Sequence, residues 1–154
     1  MDLRGQLLIS AATLLDRFPA VRDGDVEAIH DARVATRRMR AVLPVLAACH
    51  PDVDLKSVSR TVRRAGRALG RVRDLDVALA LAGDLEQRLP MAAGRTAEVR
   101  RALVSHQLAE RRHLVKEMDR LPLADLSRLA SKLPAGHRFA RRSDRRIASG
   151  RRPR

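Results

Sequence analysis

Residues 26–43 read Val26-Glu-Ala-Ile-His-Asp-Ala-Arg-Val-Ala-Thr-Arg-Arg-Met-Arg-Ala-Val-Leu43. Wound at about 100° per residue, this stretch sorts into two faces. Ala32, Ala35, Met39, Val42 and Leu43, with Leu46 just beyond, fall on one side. His30, Arg33, Arg37 and Arg40 fall nearly opposite, and Arg38 lies on the flank. A strand would not separate these residues, because its side chains alternate with period two. The spacing predicts a helix over residues 25–49, with Asp23 or Asp25 as its N-cap.

The pattern continues outward. Over residues 53–69, Leu55, Val58, Val62, Ala65 and Leu69 form an apolar stripe. Arg60, Arg63, Arg64, Arg67 and Arg71 follow i, i+3, i+4, i+7, i+11 on the other face. No acidic residue stands at helical spacing among them. Like charges three or four residues apart repel and weaken a helix, so their number needs a reason. A solvated basic face would explain one such helix. Two in succession point to a surface that grips phosphate, for which the forked guanidinium donors are suited.

Beyond Leu69 the apolar phase shifts to Val72, Leu75, Leu79, Ala82, Leu85 and Leu89. That shift predicts a break or kink at Gly70 and a separate helix over 71–89. Asp74 is expected to cap this segment or to orient Arg73. Further helices are expected over 3–18, 95–121 and 123–133, punctuated by Pro19 to Gly24, His50-Pro51, Pro90 to Gly94, Pro122 and Pro134 to Gly136. There is no sustained period-two run, so the fold class is all-α with about four to six helices.

Helix 95–121 places His106 and His113 seven residues apart on one face, with Arg95, Lys116 and Arg120 nearby. Zinc pairs on a helix usually sit at i, i+4, and no third ligand offers itself. No metal is expected. The two histidines are either donors to an anion or ordinary boundary residues.

Composition agrees with a polyanionic partner. The 154 residues make one domain of ordinary size and include 32 Lys+Arg against 18 Asp+Glu, a net charge of +14. Of the 32 bases, 29 are Arg. With no Trp, no Tyr and two Phe, a base-stacking platform for single strands is poorly supported. The single cysteine, Cys49, excludes an internal disulfide framework and is expected in the core. No apolar run suits a bilayer and no leader is visible, so a cytoplasmic location away from membranes is expected. Residues 137–154 hold eight Arg and one Asp. They are expected to form a disordered basic tail after a domain spanning 1–136.

The stretch 26–43 closely resembles the opening signature of CHAD domains, the conserved histidine α-helical domains. Leu69-Gly-Arg-Val-Arg-Asp-Leu-Asp-Val77 looks like their second signature. The resemblance implies an antiparallel helical bundle, half of a two-repeat arrangement with a basic surface between four-helix halves. It implies binding of inorganic polyphosphate, location at polyphosphate granules and no chemistry of its own. By motif match, His30, Arg33, Arg37, Arg38 and Arg40 belong to the anion-binding face, and Arg73 and Asp74 to the second signature. Arg63, Arg64 and Arg67 fall in the basic helix before it. Arg60 and Arg71 complete that stripe, and His106, His113 and Lys116 join from helical geometry alone. A full family domain is nearly twice this length, and no second His-x-x-Arg opening follows. The half then pairs with a copy of itself, pairs with a partner supplying the other half, or is a weakly functional remnant. A twofold dimer is the simplest way to restore a two-sided site.

Three functions compete at this stage. A polyphosphate-binding module explains the Arg spacing and the missing aromatics. A non-specific nucleic-acid binder fits the charge and the tail, although no helix-turn-helix, zinc finger or aromatic RNA motif is present. An enzyme needs a metal-binding carboxylate cluster or an activated nucleophile, and neither is visible. No catalytic residue and no cofactor are assigned.

Overall fold

The computed structural model describes residues 2–89 and 93–134. They form five helices: α1 (Leu3–Arg22), α2 (Val26–Cys49), α3 (Lys56–Arg88), α4 (Ala93–Asp119) and α5 (Ala124–Lys132). No strand occurs among the described residues. The residues expected to form a basic tail lie outside them.

Short connections make consecutive helices antiparallel neighbours. α1 packs on α2, α2 on α3 and α3 on α4, while α5 and part of α4 close over α1. Asp25 caps α2, its Oδ1 accepting from the Ala28 amide at 2.6 Å. Asp2 does the same for α1, accepting from the Gly5 amide. These caps satisfy amides that the first helical turn leaves without partners.

The expected apolar stripes are the core. Ala32, Ala35, Met39, Val42, Leu43 and Leu46 are all buried on α2. Leu55, Val58, Val62, Ala65 and Leu69 are buried against them from α3 and the residue before it. Leu7 and Leu14 of α1, Leu114 and Met118 of α4, and Leu126 and Leu129 of α5 complete the cluster. Each Val, Leu or Met side chain among them contributes about 1.5–3 kcal/mol when fully buried.

Three local expectations are corrected. α3 runs unbroken through Gly70, so 56–88 is one helix. The apolar phase shifts because the neighbours change. Up to Val72 the helix packs inside the bundle. Farther on, its Leu81 and Leu85, and Leu89 just after it, are exposed, projecting past the α1–α2 turn together with Val99, Val104 and Leu108 of α4. α1 likewise continues three residues past Pro19, which sits inside the helix at the loss of the one backbone hydrogen bond proline cannot donate. Cys49 is exposed at the end of α2, not in the core.

Candidate polyanion-binding surface

The seam between α2 and α3 carries the charge. Gly66 and Gly70, one turn apart on α3, let α2 side chains lie close across it. A methyl at Gly66 would stand 3.3 Å from Thr36 Oγ1 and 3.8 Å from Arg40 Cδ. A methyl at Gly70 would stand 3.7 Å from Arg33 Nη1. Arg33 thereby crosses α3 and meets Asp74 at 3.6 Å. Asp74 lies inside α3, so it neither caps a helix nor orients Arg73; it holds Arg33.

Beside this pair runs a row of cations without carboxylate partners. Arg37, Arg38 and Arg40 on α2, and Arg60, Arg63 and Arg67 on α3, are exposed. None forms an ion pair with another described residue. Six uncompensated guanidiniums on adjoining helices repel one another and favour a bound anion. Arg73 is half-buried on α3 and is also without an ion pair among the described residues.

Two grooves flank the row. His30 and Arg38 line one of about 350 Å³ between α2 and α1, with Ser10, Thr13 and Asp31. Arg60 and Arg63 line another of about 790 Å³ at the α2–α3 loop, with Asp52, Asp54 and Lys56. Lys56 was not singled out in the sequence. Its signal was available: it stands four residues before Arg60 and extends the same stripe.

The Arg stripe of α3 is divided. Arg64 and Arg71 turn toward α4. Arg71 Nε donates to Glu110 Oε2 at 2.7 Å, and Arg64 Nη2 donates to Glu117 Oε2 at 3.1 Å. Both pairs are separated by seven residues on both helices, so the antiparallel register closes them together. The hydrogen bond from Arg64 holds the Glu117 carboxyl below the usual carboxylate range. Partial burial pulls the other way, and the charges of Arg64, His113 and Arg120 add to the lowering. These acids were hidden from a search at helical spacing within α3, because they arrive from another helix.

His106, His113 and Lys116 are exposed on α4, and the structure does not bring them to the α2–α3 seam. His106 and His113 share their strip of α4 with Glu110 and Glu117, which lie between them and α3. Among the described residues, no three His, Cys, Asp or Glu are grouped to hold a metal, and no helix is long and apolar enough to cross a membrane.

The family model for the CHAD domain matches residues 6–152. The chain belongs to the CHAD family. The match covers both signatures and runs on through most of the basic C-terminal stretch. CHAD domains are helical binding modules linked to polyphosphate. No curated protein and no solved structure matches the chain.

Proposed function

We propose that this CHAD domain binds inorganic polyphosphate along the α2–α3 seam, as a non-catalytic module that associates with polyphosphate granules in the cytoplasm. The observation that carries the reading is the row of exposed guanidiniums lacking carboxylate partners among the described residues. Arg37 and Arg40 on α2 and Arg60, Arg63 and Arg67 on α3 form its centre, with His30 in the flanking groove toward α1. Lys56 extends it at one end and Arg38 broadens it toward α1. Arg33 crosses the seam to reach Asp74.

Polyphosphate carries charge on every repeat and has no bases to read. A line of fixed cations matches it without stacking platforms or a recognition helix. Arginine keeps its charge at any working pH and offers donors only. The guanidiniums can therefore hold phosphate, but they cannot accept a proton from an attacking water. That chemistry supports binding without hydrolysis.

The test is a competition titration near physiological salt, where diffuse attraction is screened. Labelled long-chain polyphosphate is displaced by unlabelled polyphosphate or by duplex DNA, matched in phosphate. Marked preference for polyphosphate is the expected result. Equal displacement by both would reduce the function to general polyanion binding, nucleic acid included.

A further inference from the structure

We propose that Glu110 and Glu117 set the ligand selectivity of this surface by withholding Arg71 and Arg64 from it and closing its α4 edge. The inference rests on polyphosphate binding at the α2–α3 seam and says how that site is kept narrow.

The geometry is specific. α3 presents five arginines on one face, yet among the described residues only Arg64 and Arg71 of these are engaged by carboxylates. Glu110 and Glu117 stand about 10.5 Å apart along α4, two helical turns, as do their partners on α3. The Arg64 and Arg71 side chains are 45% and 46% exposed, whereas those of Glu117 and Glu110 are 19% and 31% exposed. The carboxylates are thus the better anchored members, held in the α3–α4 seam. A phosphate reaching for Arg64 or Arg71 would have to displace a carboxylate that cannot move far. It would then sit beside that negative charge. The same two acids share the α4 strip with His106 and His113, and Glu117 also meets Arg120 at 3.7 Å, so carboxylates interrupt the cationic surface at the seam.

What remains is a track on α2 and the adjoining edge of α3. It suits one unbranched file of phosphates. A duplex presents two phosphate files across a groove and needs a wider basic face. The two acids therefore act chiefly against the wider ligand. Repulsion of a wrong partner is an established route to specificity.

The experiment compares the full chain with the Glu110→Gln/Glu117→Gln double variant in the same polyphosphate and duplex DNA titrations. Glutamine keeps the shape and removes the negative charge, freeing both guanidiniums. DNA affinity is expected to rise more than polyphosphate affinity, so that the preference falls by about tenfold, with a steeper dependence of DNA binding on salt. An unchanged preference in a folded variant would overturn the proposal. A second measurement needs no variant. In the wild-type chain, the guanidinium NMR signals of Arg37 and Arg67 should shift on adding polyphosphate, while those of Arg64 and Arg71 stay in place. Movement of all four would equally overturn it. If the wild-type chain shows no preference for polyphosphate, it is the binding assignment that fails. If the preference exists but survives in the variant, only the role of the two acids fails.

Discussion

Arg111 Nη1 donates to the carbonyl oxygen of Gly24 at 2.7 Å, tying α4 to the turn between α1 and α2. Gly24 makes that turn at φ +82°, a conformation that other residues seldom adopt. The same guanidinium meets Asp76 Oδ1 through Nη2 at 3.3 Å, and Gln107 also donates to that carboxylate. Asp76 is the second aspartate of the Arg-Asp-Leu-Asp run, and its side chain is only 5% exposed. One network therefore joins α3, α4 and the α1–α2 turn.

Removing Asp76 should be costly. Asp76→Ala leaves Arg111 and Gln107 without their shared acceptor in a mostly buried setting. Breaking one side of a buried ion pair costs about 3–5 kcal/mol. Arg111 retains some access to water, so about 2–4 kcal/mol is expected. Urea unfolding followed by circular dichroism measures it. A loss under 1 kcal/mol would mean that the network is not a structural tie.

The two glycines of the seam should respond differently to alanine. At Gly70 the added methyl makes ordinary contact with Arg33 Nη1 at 3.7 Å. Replacing glycine inside a helix then gains about 0.5–1 kcal/mol. At Gly66 the methyl stands 3.3 Å from Thr36 Oγ1. That hydroxyl belongs to a buried side chain and is held by its bond to the Arg33 carbonyl at 2.9 Å. The crowding offsets the helical gain. Gly70→Ala is expected to melt above wild type, and Gly66→Ala at or below it. The reverse order in a thermal melt would show that the helices approach differently.

The same seam shows what sequence could and could not reveal. The apolar faces of α2 and of the first half of α3 were legible, because the 3.6 period reports directly which side must leave water. The basic faces were legible for the same reason. Gly70 misled because, within one helix, a glycine beside a phase shift looks like a break. Its role depends on Arg33, thirty-seven residues away in sequence. Glu110 and Glu117 were likewise invisible as partners of Arg71 and Arg64, since helix–helix register is not written in either helix alone. Cys49 was assigned to the core on residue type, whereas its place at the end of α2 leaves it in solvent.

Glu117 supplies a pH dependence. Its folded carboxyl titrates below the ordinary glutamate range, chiefly through the Arg64 hydrogen bond. A depressed carboxylate contributes stability that is present above its unfolded pKa and lost as pH falls through the folded one. Part of the acid-side loss of stability should therefore track Glu117. Carboxyl NMR should place its midpoint below that of an unpaired glutamate, and Arg64→Gln should raise it. An unmoved midpoint would mean that the Arg64–Glu117 bond does not persist in solution.

Arg37 and Arg67 test the seam as a binding track. Both are exposed and neither has a carboxylate partner among the described residues. Arg37→Ala/Arg67→Ala should keep the helical circular dichroism signal, since the core does not use these side chains. Polyphosphate affinity should fall by about tenfold or more, as each lost charge-assisted contact costs about 1 kcal/mol. Unchanged affinity would place the ligand elsewhere on the chain.

Residues 137–154 supply charge of a different kind. Eight Arg and one Asp stand there, beyond α5 in the sequence, with Arg138, Arg141, Arg142 and Arg145 at i, i+3, i+4, i+7. Charge at this density attracts any polyanion and releases its counterions, whatever its shape. Deleting 137–154 should therefore weaken polyphosphate and duplex DNA binding by similar factors and flatten the salt dependence of both. The preference between them should survive, because the α2–α3 seam and its Glu110 and Glu117 edge are untouched. Competition titrations on the shortened chain decide the matter. Loss of the preference on deletion would move selectivity from the helical seam into the basic segment.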